Sequence, residues 1–444
     1  MPIYRKERIA MMRFKLKEGL LLGSATAATQ IEGGDENNNW ARFAKEGKVK
    51  DGSSPVTADD HYNRYIEDID LMAGMGLEIY RFGIEWSRIE PVRGEYSAEA
   101  IAHYRTEIEY MLSKGIKPLL TIHHFTNPLW FEDMGAFENK ESPEIFLTLV
   151  KKVVDSFGDI VSEYITINEP NVYAVNSLLW GYWPPEKKSM SSLINAYSNM
   201  TAAHIMAYNY IHAKREEMGY TDTKVSFANH LRVFAPKNPK NPFHRIASSL
   251  SDYLFQGALT DAMMTGTCRF PILRRKGVKK GKYYDFIGIN YYTRSTVSGL
   301  SDGVKEDSYV NDLGWEIYHE GLIELSNRFA SKYGGEVYIT ENGTCDNSDS
   351  FRSRFIYDQL KLISETENPI TRYYHWSFMD NFEWCEGERE RFGLVHVDYQ
   401  TQERRIKDSG MLYSAIIRDG GVSEESYQTY VENSHYKKPS PQGE

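Results

Sequence analysis

The sequence has little cysteine, no long apolar run and no linker rich in serine and glycine. Its three cysteines, Cys268, Cys345 and Cys385, cannot form a disulfide framework and lack the spacing of a metal site. No stretch approaches the roughly 18 apolar residues of a membrane-spanning helix. The charged N-terminus lacks the apolar core of a signal peptide. We therefore expect a cytoplasmic protein that binds neither metal nor membrane.

An excess of positive charge is also missing. The 444 residues carry a formal net charge of −10, and no basic stripe offsets it, which argues against a nucleic-acid partner. The hydrophobic fraction of 41% is sufficient for a large core. Aromatic residues make up 13%, including 31 tyrosines and 8 tryptophans, and such rings suit the apolar face of a sugar.

Short apolar runs alternate with helical patterns along the whole chain. Eight candidate strands lie at residues 20–25, 79–84, 117–122, 164–167, 224–228, 286–289, 337–340 and 372–376. Helical patterns between them include 59–72, 98–114, 144–157, 193–218 and 314–333. This alternation predicts one domain over residues 1–444, a single (β/α)8 barrel. Polar inserts at 32–54, 237–243 and 299–311 are predicted as loops around its C-terminal face.

Two of the candidate strands end in a glutamate beside an asparagine. Glu169 follows Asn168, and Glu341 precedes Asn342. One such glutamate alone is usually a structural ion-pair member, because an unpaired buried carboxylate is costly. The shared pattern, at the end of the strands where barrel enzymes carry their chemistry, favours one site built from both. Paired carboxylates are what glycoside hydrolysis requires.

Polar and aromatic side chains follow the other candidate strands as well. Any of them alone is more readily explained by packing or by a structural hydrogen bond. Together they predict a pocket for a polyhydroxyl ligand with an aromatic floor. The set comprises Gln30, Arg81, His124, Asn290, Tyr292, Trp376, Glu383 and Trp384.

Several of these segments resemble glycoside hydrolase family 1, the retaining β-glucosidases. The resemblance rests on the motifs at residues 80–88, 166–170, 339–343 and 379–384, and extends from residue 23 to residue 399. It implies hydrolysis of terminal β-D-glucosyl residues by double displacement, without cofactor or metal. β-D-galactosyl and β-D-fucosyl residues are further candidate substrates.

The resemblance also implies a role for each residue of the set. Glu169 would be the acid/base and Glu341 the nucleophile, with the Arg81 charge keeping the pKa of Glu341 low. Asn168 would hold the sugar 2-hydroxyl. Arg81, Tyr292 and Asn290 would lie at the nucleophile and orient it. The 3-, 4- and 6-hydroxyl side would be held by Gln30, His124, Glu383 and Trp384, above Trp376.

One branch of the family hydrolyses 6-phosphorylated glycosides, and its pattern is absent here. By resemblance, members of that branch carry a serine at position 383, and a lysine and a tyrosine follow seven and nine residues later. This chain has Glu383, Glu390 and Phe392 instead, which argues against phosphosugars. Phe125 stands where many relatives carry tryptophan, which leaves the choice between glucose and other hexoses open.

Two alternatives stay open at this point. A transglycosylase would use the same residues with a sugar acceptor, and a non-catalytic sugar-binding protein would share the barrel. The intact pair of Glu169 and Glu341 argues against the second alternative. Segments 180–185, 231–244 and 299–315 are predicted to form the outer subsite for the aglycone. The sequence carries no signal for an oligomeric state.

Overall fold

Eight parallel strands form the centre of the computed structural model, which describes residues 12–299 and 301–438. They are β1 (Leu21–Ala25), β2 (Ile79–Gly83), β3 (Lys117–His123), β4 (Glu163–Asn168), β5 (Lys224–Pro236), β6 (Ile287–Ser298), β7 (Val337–Asn342) and β8 (Ile370–Trp376). Each strand pairs in parallel with the next, and β8 returns to β1, where Ala25 lies opposite Trp376. The sheet is closed, which confirms the predicted (β/α)8 barrel.

A helix follows every strand and covers the outside of the barrel. These helices are α1 (His61–Gly74), α2 (Ala98–Ser113), α3 (Ser142–Phe157), α4 (Met190–Glu217), α5 (Ala258–Thr265), α6 (Glu320–Tyr333), α7 (Arg352–Glu365) and α8 (Asp408–Asp419). Helix α3 illustrates why they form: Ile145, Leu149 and Val153, four residues apart, make one buried face. None of the described helices is long and apolar enough to cross a membrane.

Shorter elements lie in the connections and at the two ends of the described chain. Helical segments occur at Ala28–Ile31, Asn39–Lys45, Trp86–Ile89, Leu129–Asp133, Ala136–Glu138, Pro170–Ala174, Val175–Trp180, Pro242–Asp252, Tyr253–Gly257, Trp384–Glu386 and Glu424–Tyr430. Val395–Val397 pairs with Arg404–Ile406. Phe14–Lys15 pairs with Gly421–Val422, so both ends of the described chain meet. The single domain over residues 1–444 stays a prediction.

Several predicted boundaries were wrong, chiefly at β5 and β6. Both strands run beyond the barrel and pair with each other there, as Val233 with Arg294 and Pro236 with Val297. Polar residues interrupt this extension, so it lacks the apolar run that marks a barrel strand. Helix α6 begins at Glu320 instead of residue 314. The inserts 32–54, 237–243 and 299–311 include Asn39–Lys45, the start of Pro242–Asp252, and Ser301–Gly303.

A buried ion cluster links three strands at the N-terminal end of the barrel. Glu163, the first residue of β4, accepts from Arg372 of β8 at 2.8 Å and from Lys117 of β3 at 2.5 Å. The Arg372 guanidinium also lies over the Tyr338 ring, 4.4 Å from its centroid. Because Glu163 and Arg372 are both buried, neither charge can turn to water if its partner is removed.

Replacing Glu163 with glutamine should therefore destabilise the fold. We expect Glu163→Gln to lower the free energy of unfolding by about 3 kcal/mol, because Arg372 is left buried and unpaired. Urea denaturation followed by circular dichroism measures this loss. The control is Glu217→Gln, whose partner Lys214 and own side chain are on the surface, and which should change stability by less than about 1 kcal/mol. Equal midpoints for Glu163→Gln and wild type would contradict the prediction.

Candidate active site

A cavity of about 680 Å³ opens at the C-terminal end of the barrel strands. Seven of the residues singled out in the sequence line it: His124, Glu169, Tyr292, Glu341, Trp376, Glu383 and Trp384. The other four, Gln30, Arg81, Asn168 and Asn290, are buried and hydrogen-bond to that lining. The barrel thus brings all eleven together.

Two donors hold the Glu341 carboxylate at the end of β7. Arg81 Nη1 donates to Oε1 at 2.5 Å, and the Tyr292 hydroxyl donates to Oε2 at 2.6 Å. Burial raises the pKa of the Tyr292 phenol well above its usual range, so the hydroxyl keeps its hydrogen. Both carboxylate oxygens are therefore fixed in direction.

Arg81, on β2, connects the nucleophile candidate on β7 to strands β3 and β4. Beyond Glu341, its guanidinium donates to the Thr340 carbonyl at 3.1 Å, to Asn168 Oδ1 at 2.7 Å and to Thr121 Oγ1 at 3.1 Å. Its side chain is 0% exposed, so every one of these contacts is made within the protein. The arrangement makes Arg81 a fixed positive charge beneath the cavity.

Burial nevertheless outweighs the Arg81 charge at Glu341. Burial raises the pKa of Glu341 to about 7, the Arg81 charge opposes this rise, and the Glu169 charge adds to it. The expectation that Arg81 keeps this pKa low was therefore wrong.

Glu169 lies just past the end of β4 in a strained backbone conformation. Its φ of 41° is in the left-handed region, which residues with a Cβ seldom adopt. Its Oε1 accepts from Asn290 Nδ2 at 2.9 Å and lies 3.2 Å from His230 Nδ1. Such strain is concentrated at sites where function fixes a side-chain direction.

Asn290 was predicted to orient Glu341, but it contacts Glu169 instead. It lies opposite Glu341 in the β6–β7 pairing, but its amide donates to Glu169 and to Asn168, while its oxygen accepts from Thr340 at 2.6 Å. Asn290 thus orients Glu169. The strand pairing places Asn290 beside Glu341 as predicted. The hydrogen bond from Thr340 to its side-chain oxygen, however, orients its amide group towards Glu169.

A second hydrogen-bonded group surrounds Glu383. Gln30 Nε2 donates to Asn381 Oδ1 at 2.9 Å and to the Phe382 carbonyl at 2.7 Å, and lies 3.4 Å from Glu383 Oε2. Gln30 Oε1 is buried with no partner among the described residues. Burial raises the pKa of Glu383 to about 8, with the Glu341 charge adding to it. This corner offers acceptors and a carboxyl group for sugar hydroxyls.

His124 is flanked by two indoles. Its ring centroid lies 5.8 Å from that of Trp376 and 5.9 Å from that of Trp384. Asn168 Nδ2 donates to Nε2 at 2.9 Å, which leaves the hydrogen on Nδ1, a buried atom with no partner in the described chain. Burial lowers the pKa of His124 well below its usual range, so the ring is neutral. Nδ1–H is thus a free donor.

Phe125 packs into the aromatic wall of the cavity. Its ring contacts Trp183 and Trp384, with centroids 4.9 and 5.2 Å apart. Trp40 supports Trp384 from behind, at 4.8 Å. The phenyl ring keeps the aromatic wall continuous but supplies no N–H to a hydroxyl.

His230, which contacts Glu169, was not predicted from the sequence, whereas Arg232 beside it lies in the segment 231–244 predicted for the outer subsite. Both stand on the extension of β5, which we had expected to end at residue 228. The alternation of polar and apolar residues from His230 to Val233 was the available signal. The described residues hold no group of three or more His, Cys, Asp or Glu placed to bind a metal ion.

Comparisons with known proteins agree with this geometry. Residues 12–422 match the family described as Glycosyl hydrolase family 1. "Beta-glucosidase A" of Thermotoga maritima is 31% identical over 92% of this chain and 99% of its own. The structure of a "beta-glycosidase from Pyrococcus horikoshii" covers 94% of this chain and 98% of its own, at 34% identity and a TM-score of 0.85. A T. maritima β-glucosidase structure with glucoimidazole has a TM-score of 0.84 at 30% identity, covering 92% and 100% of the two chains.

The matched residues include all eight barrel strands and the eight helices α1 to α8. They also include Glu169 and Glu341, which stand at the ends of β4 and β7. The chain therefore belongs to glycosyl hydrolase family 1.

Proposed function

We propose that the protein is a retaining, exo-acting β-glycosidase that removes terminal β-D-glucosyl residues from small glycosides. The observation that carries this proposal is the pair of carboxylates in one cavity, with Arg81 and Tyr292 holding Glu341. The names of relatives support glucose, and a "Beta-galactosidase" of Pyrococcus woesei, 28% identical, supports galactose as a second substrate.

In the first step Glu341 attacks the anomeric carbon of the sugar. The bond from that carbon to the leaving oxygen breaks, and Glu169 gives its proton to this oxygen. Arg81 and Tyr292 aim the attacking carboxylate. Because both donate to it, they favour the ionised form of Glu341, which is the form that attacks.

In the second step water attacks the glycosyl ester. Esterification removes the charge of Glu341, and Glu169, now ionised, accepts the proton of the attacking water. The bond to Glu341 breaks, and the sugar leaves with its original anomeric configuration. A sugar hydroxyl in place of water gives transglycosylation with the same residues.

The far end of the cavity accounts for exo action. There Glu383, with Gln30 behind it, and the indoles of Trp376 and Trp384 would hold the terminal non-reducing sugar, which supports exo action. A non-catalytic sugar-binding role is not favoured, because it would not require a strained acid beside an oriented carboxylate.

A cytoplasmic location belongs to this proposal. Cys268, Cys345 and Cys385 are all unpaired thiols, as is usual in a reducing compartment.

Phosphorylated sugars do not fit the corner near Glu383. A 6-phosphate would meet Glu383, Glu386 and the apolar ring of Phe392. Glu390 does not take part, since it accepts from Cys345 Sγ and Asn347 Nδ2, each at 3.1 Å, away from the cavity lining. The expected exclusion therefore rests on Glu383, Glu386 and Phe392, and Glu390 does not contribute to it.

The first prediction concerns the identity of the nucleophile. Glu341→Gly should lower kcat on 4-nitrophenyl β-D-glucoside by about 10⁴-fold or more, because no covalent intermediate can form. Azide should restore release of nitrophenol, since it can occupy the vacated space, and the product should be the α-glucosyl azide. Nuclear magnetic resonance identifies the anomer.

Glu169→Gly is the matched variant for the same assay. It should keep rapid first turnover of a dinitrophenyl glucoside, whose leaving group needs no proton, and azide should give the β-glucosyl azide. The same azide anomer from both variants would refute the assigned roles.

The second prediction concerns the acid limb of the pH profile. The Tyr292 hydrogen bond lowers the pKa of Glu341, and Glu341 must be ionised to attack. Tyr292→Phe should raise this pKa, so the acid limb of kcat/KM should move to higher pH by on the order of one unit. Tyr291→Phe is the control, because that hydroxyl donates to the Tyr318 carbonyl and to neither carboxylate. A shift to lower pH in Tyr292→Phe would reverse the assignment.

The third prediction concerns phosphosugars. At pH 7, kcat/KM for 4-nitrophenyl β-D-glucoside 6-phosphate should be at least about 10³-fold below that for the glucoside. The difference should widen towards pH 9, because Glu383, with its pKa of about 8, loses its proton there. Glu383→Ser should narrow it. Equal rates on the two substrates would exclude the proposed orientation of the sugar.

A further inference from the structure

One cation on the cavity wall is only weakly paired. Arg232 of β5 lines the cavity, and its guanidinium makes long contacts only, to His230 Nε2 at 3.3 Å and to Ser295 Oγ at 3.3 Å. Within residues 12–299 and 301–438, its one ion pair is with Asp302 Oδ2, at 3.7 Å. The Asp302 side chain is 56% exposed, so water screens it.

The other cations at the cavity are paired closely. Lys48 contacts Glu186 and also Glu46 at 2.8 Å, and Lys50 contacts both oxygens of Glu386 at 2.6 and 2.7 Å. Arg232 is therefore the cation of the described cavity lining whose charge is least compensated.

Holding such a charge in a partly closed wall is costly. Burial lowers the pKa of Arg232, and the charges of Asp302 and Glu169 offset only part of this effect. A guanidinium presents paired N–H groups that match a carboxylate in shape and charge. Its weak pairing thus leaves it free to bind an anion from the cavity.

The position of Arg232 defines which part of a substrate it would meet. His230 bridges the two groups, with Nδ1 at 3.2 Å from Glu169 Oε1 and Nε2 at 3.3 Å from Arg232. Since Glu169 protonates the leaving oxygen, Arg232 lies one imidazole ring farther out, beside the departing aglycone.

Aromatic rings surround the same part of the cavity. Phe255 lies 5.4 Å from the Arg232 guanidinium carbon, and Trp315 lies 5.7 Å from Tyr292. Both rings line the cavity. A flat aromatic aglycone would pack against these rings.

We propose that the outer subsite selects aryl β-glycosides whose aglycone bears a carboxylate, with Arg232 as the residue that binds it. Asp302 competes for the same guanidinium while the subsite is empty. This inference rests on the proposed function, because Glu169 as the acid defines the leaving-group side.

The test compares two matched pairs of glucosides, the 3- and 4-carboxyphenyl β-D-glucosides and their carboxamides. The measured quantity is the ratio of kcat/KM for carboxylate over carboxamide, from an assay of released glucose. In at least one pair, Arg232→Gln should lower this ratio about tenfold, and Arg232→Lys should retain part of it. Asp302→Asn should raise the ratio, because it removes the competing carboxylate. Added salt should lower the ratio in wild type.

The controls separate selection from a positional role. If Arg232 only positions His230, Arg232→Gln slows both substrates equally and the ratio stays constant, which overturns the proposal. A ratio unchanged by Asp302→Asn also counts against it, and this exposed substitution does not depend on the folding of an Arg232 variant. Arg328→Gln, which breaks an ion pair with Asp252 outside the cavity, should leave the ratio unchanged. Failure of wild type to hydrolyse even the carboxamides would instead refute the glycosidase proposal.

Discussion

The guanidinium of Arg81 is the group on which the geometry of the site depends. It is fully buried, and it joins β2 to β3 through Thr121, to β4 through Asn168, and to β7 through Thr340 and Glu341. A charge at this depth is tolerated only with good partners. The same contacts that satisfy Arg81 therefore fix the direction of Glu341 and the amide of Asn168. The positions of these two side chains in the site depend on the need to pair this buried charge.

Stability and chemistry occupy opposite ends of the same strands. Strand β4 is six residues long; it starts with Glu163, which closes the lower ion cluster with Arg372, and Glu169 follows its last residue. The lower carboxylate is matched by cations, whereas the upper ones share a cavity in which burial raises the pKa of Glu341. The barrel thus places the unfavourable pair of buried carboxylates at one end of its strands and the stabilising ion cluster at the other end.

The sequence predicted the barrel, and the eleven residues singled out in it lie together at one cavity, because β-strand runs and their polar ends are local patterns. It did not predict side-chain direction. The turn of Asn290 towards Glu169 depends on Thr340, and the pKa of Glu341 depends on burial. His230 was not predicted, because it stands on the part of β5 that pairs with β6 beyond the barrel. This pairing is a tertiary contact, and it lengthens the strand without an apolar run in the sequence.

The closure between β1 and β8 has a consequence for biosynthesis. Ser24 hydrogen-bonds to the His375 carbonyl, 351 residues later in the chain. At roughly 5–20 residues per second, the ribosome needs about 20–70 s to deliver the last strand after the first. During that interval one edge of β1 has no neighbour and can pair with other nascent chains. The unpaired edge of β1 is therefore an aggregation hazard until the last strand has been synthesised.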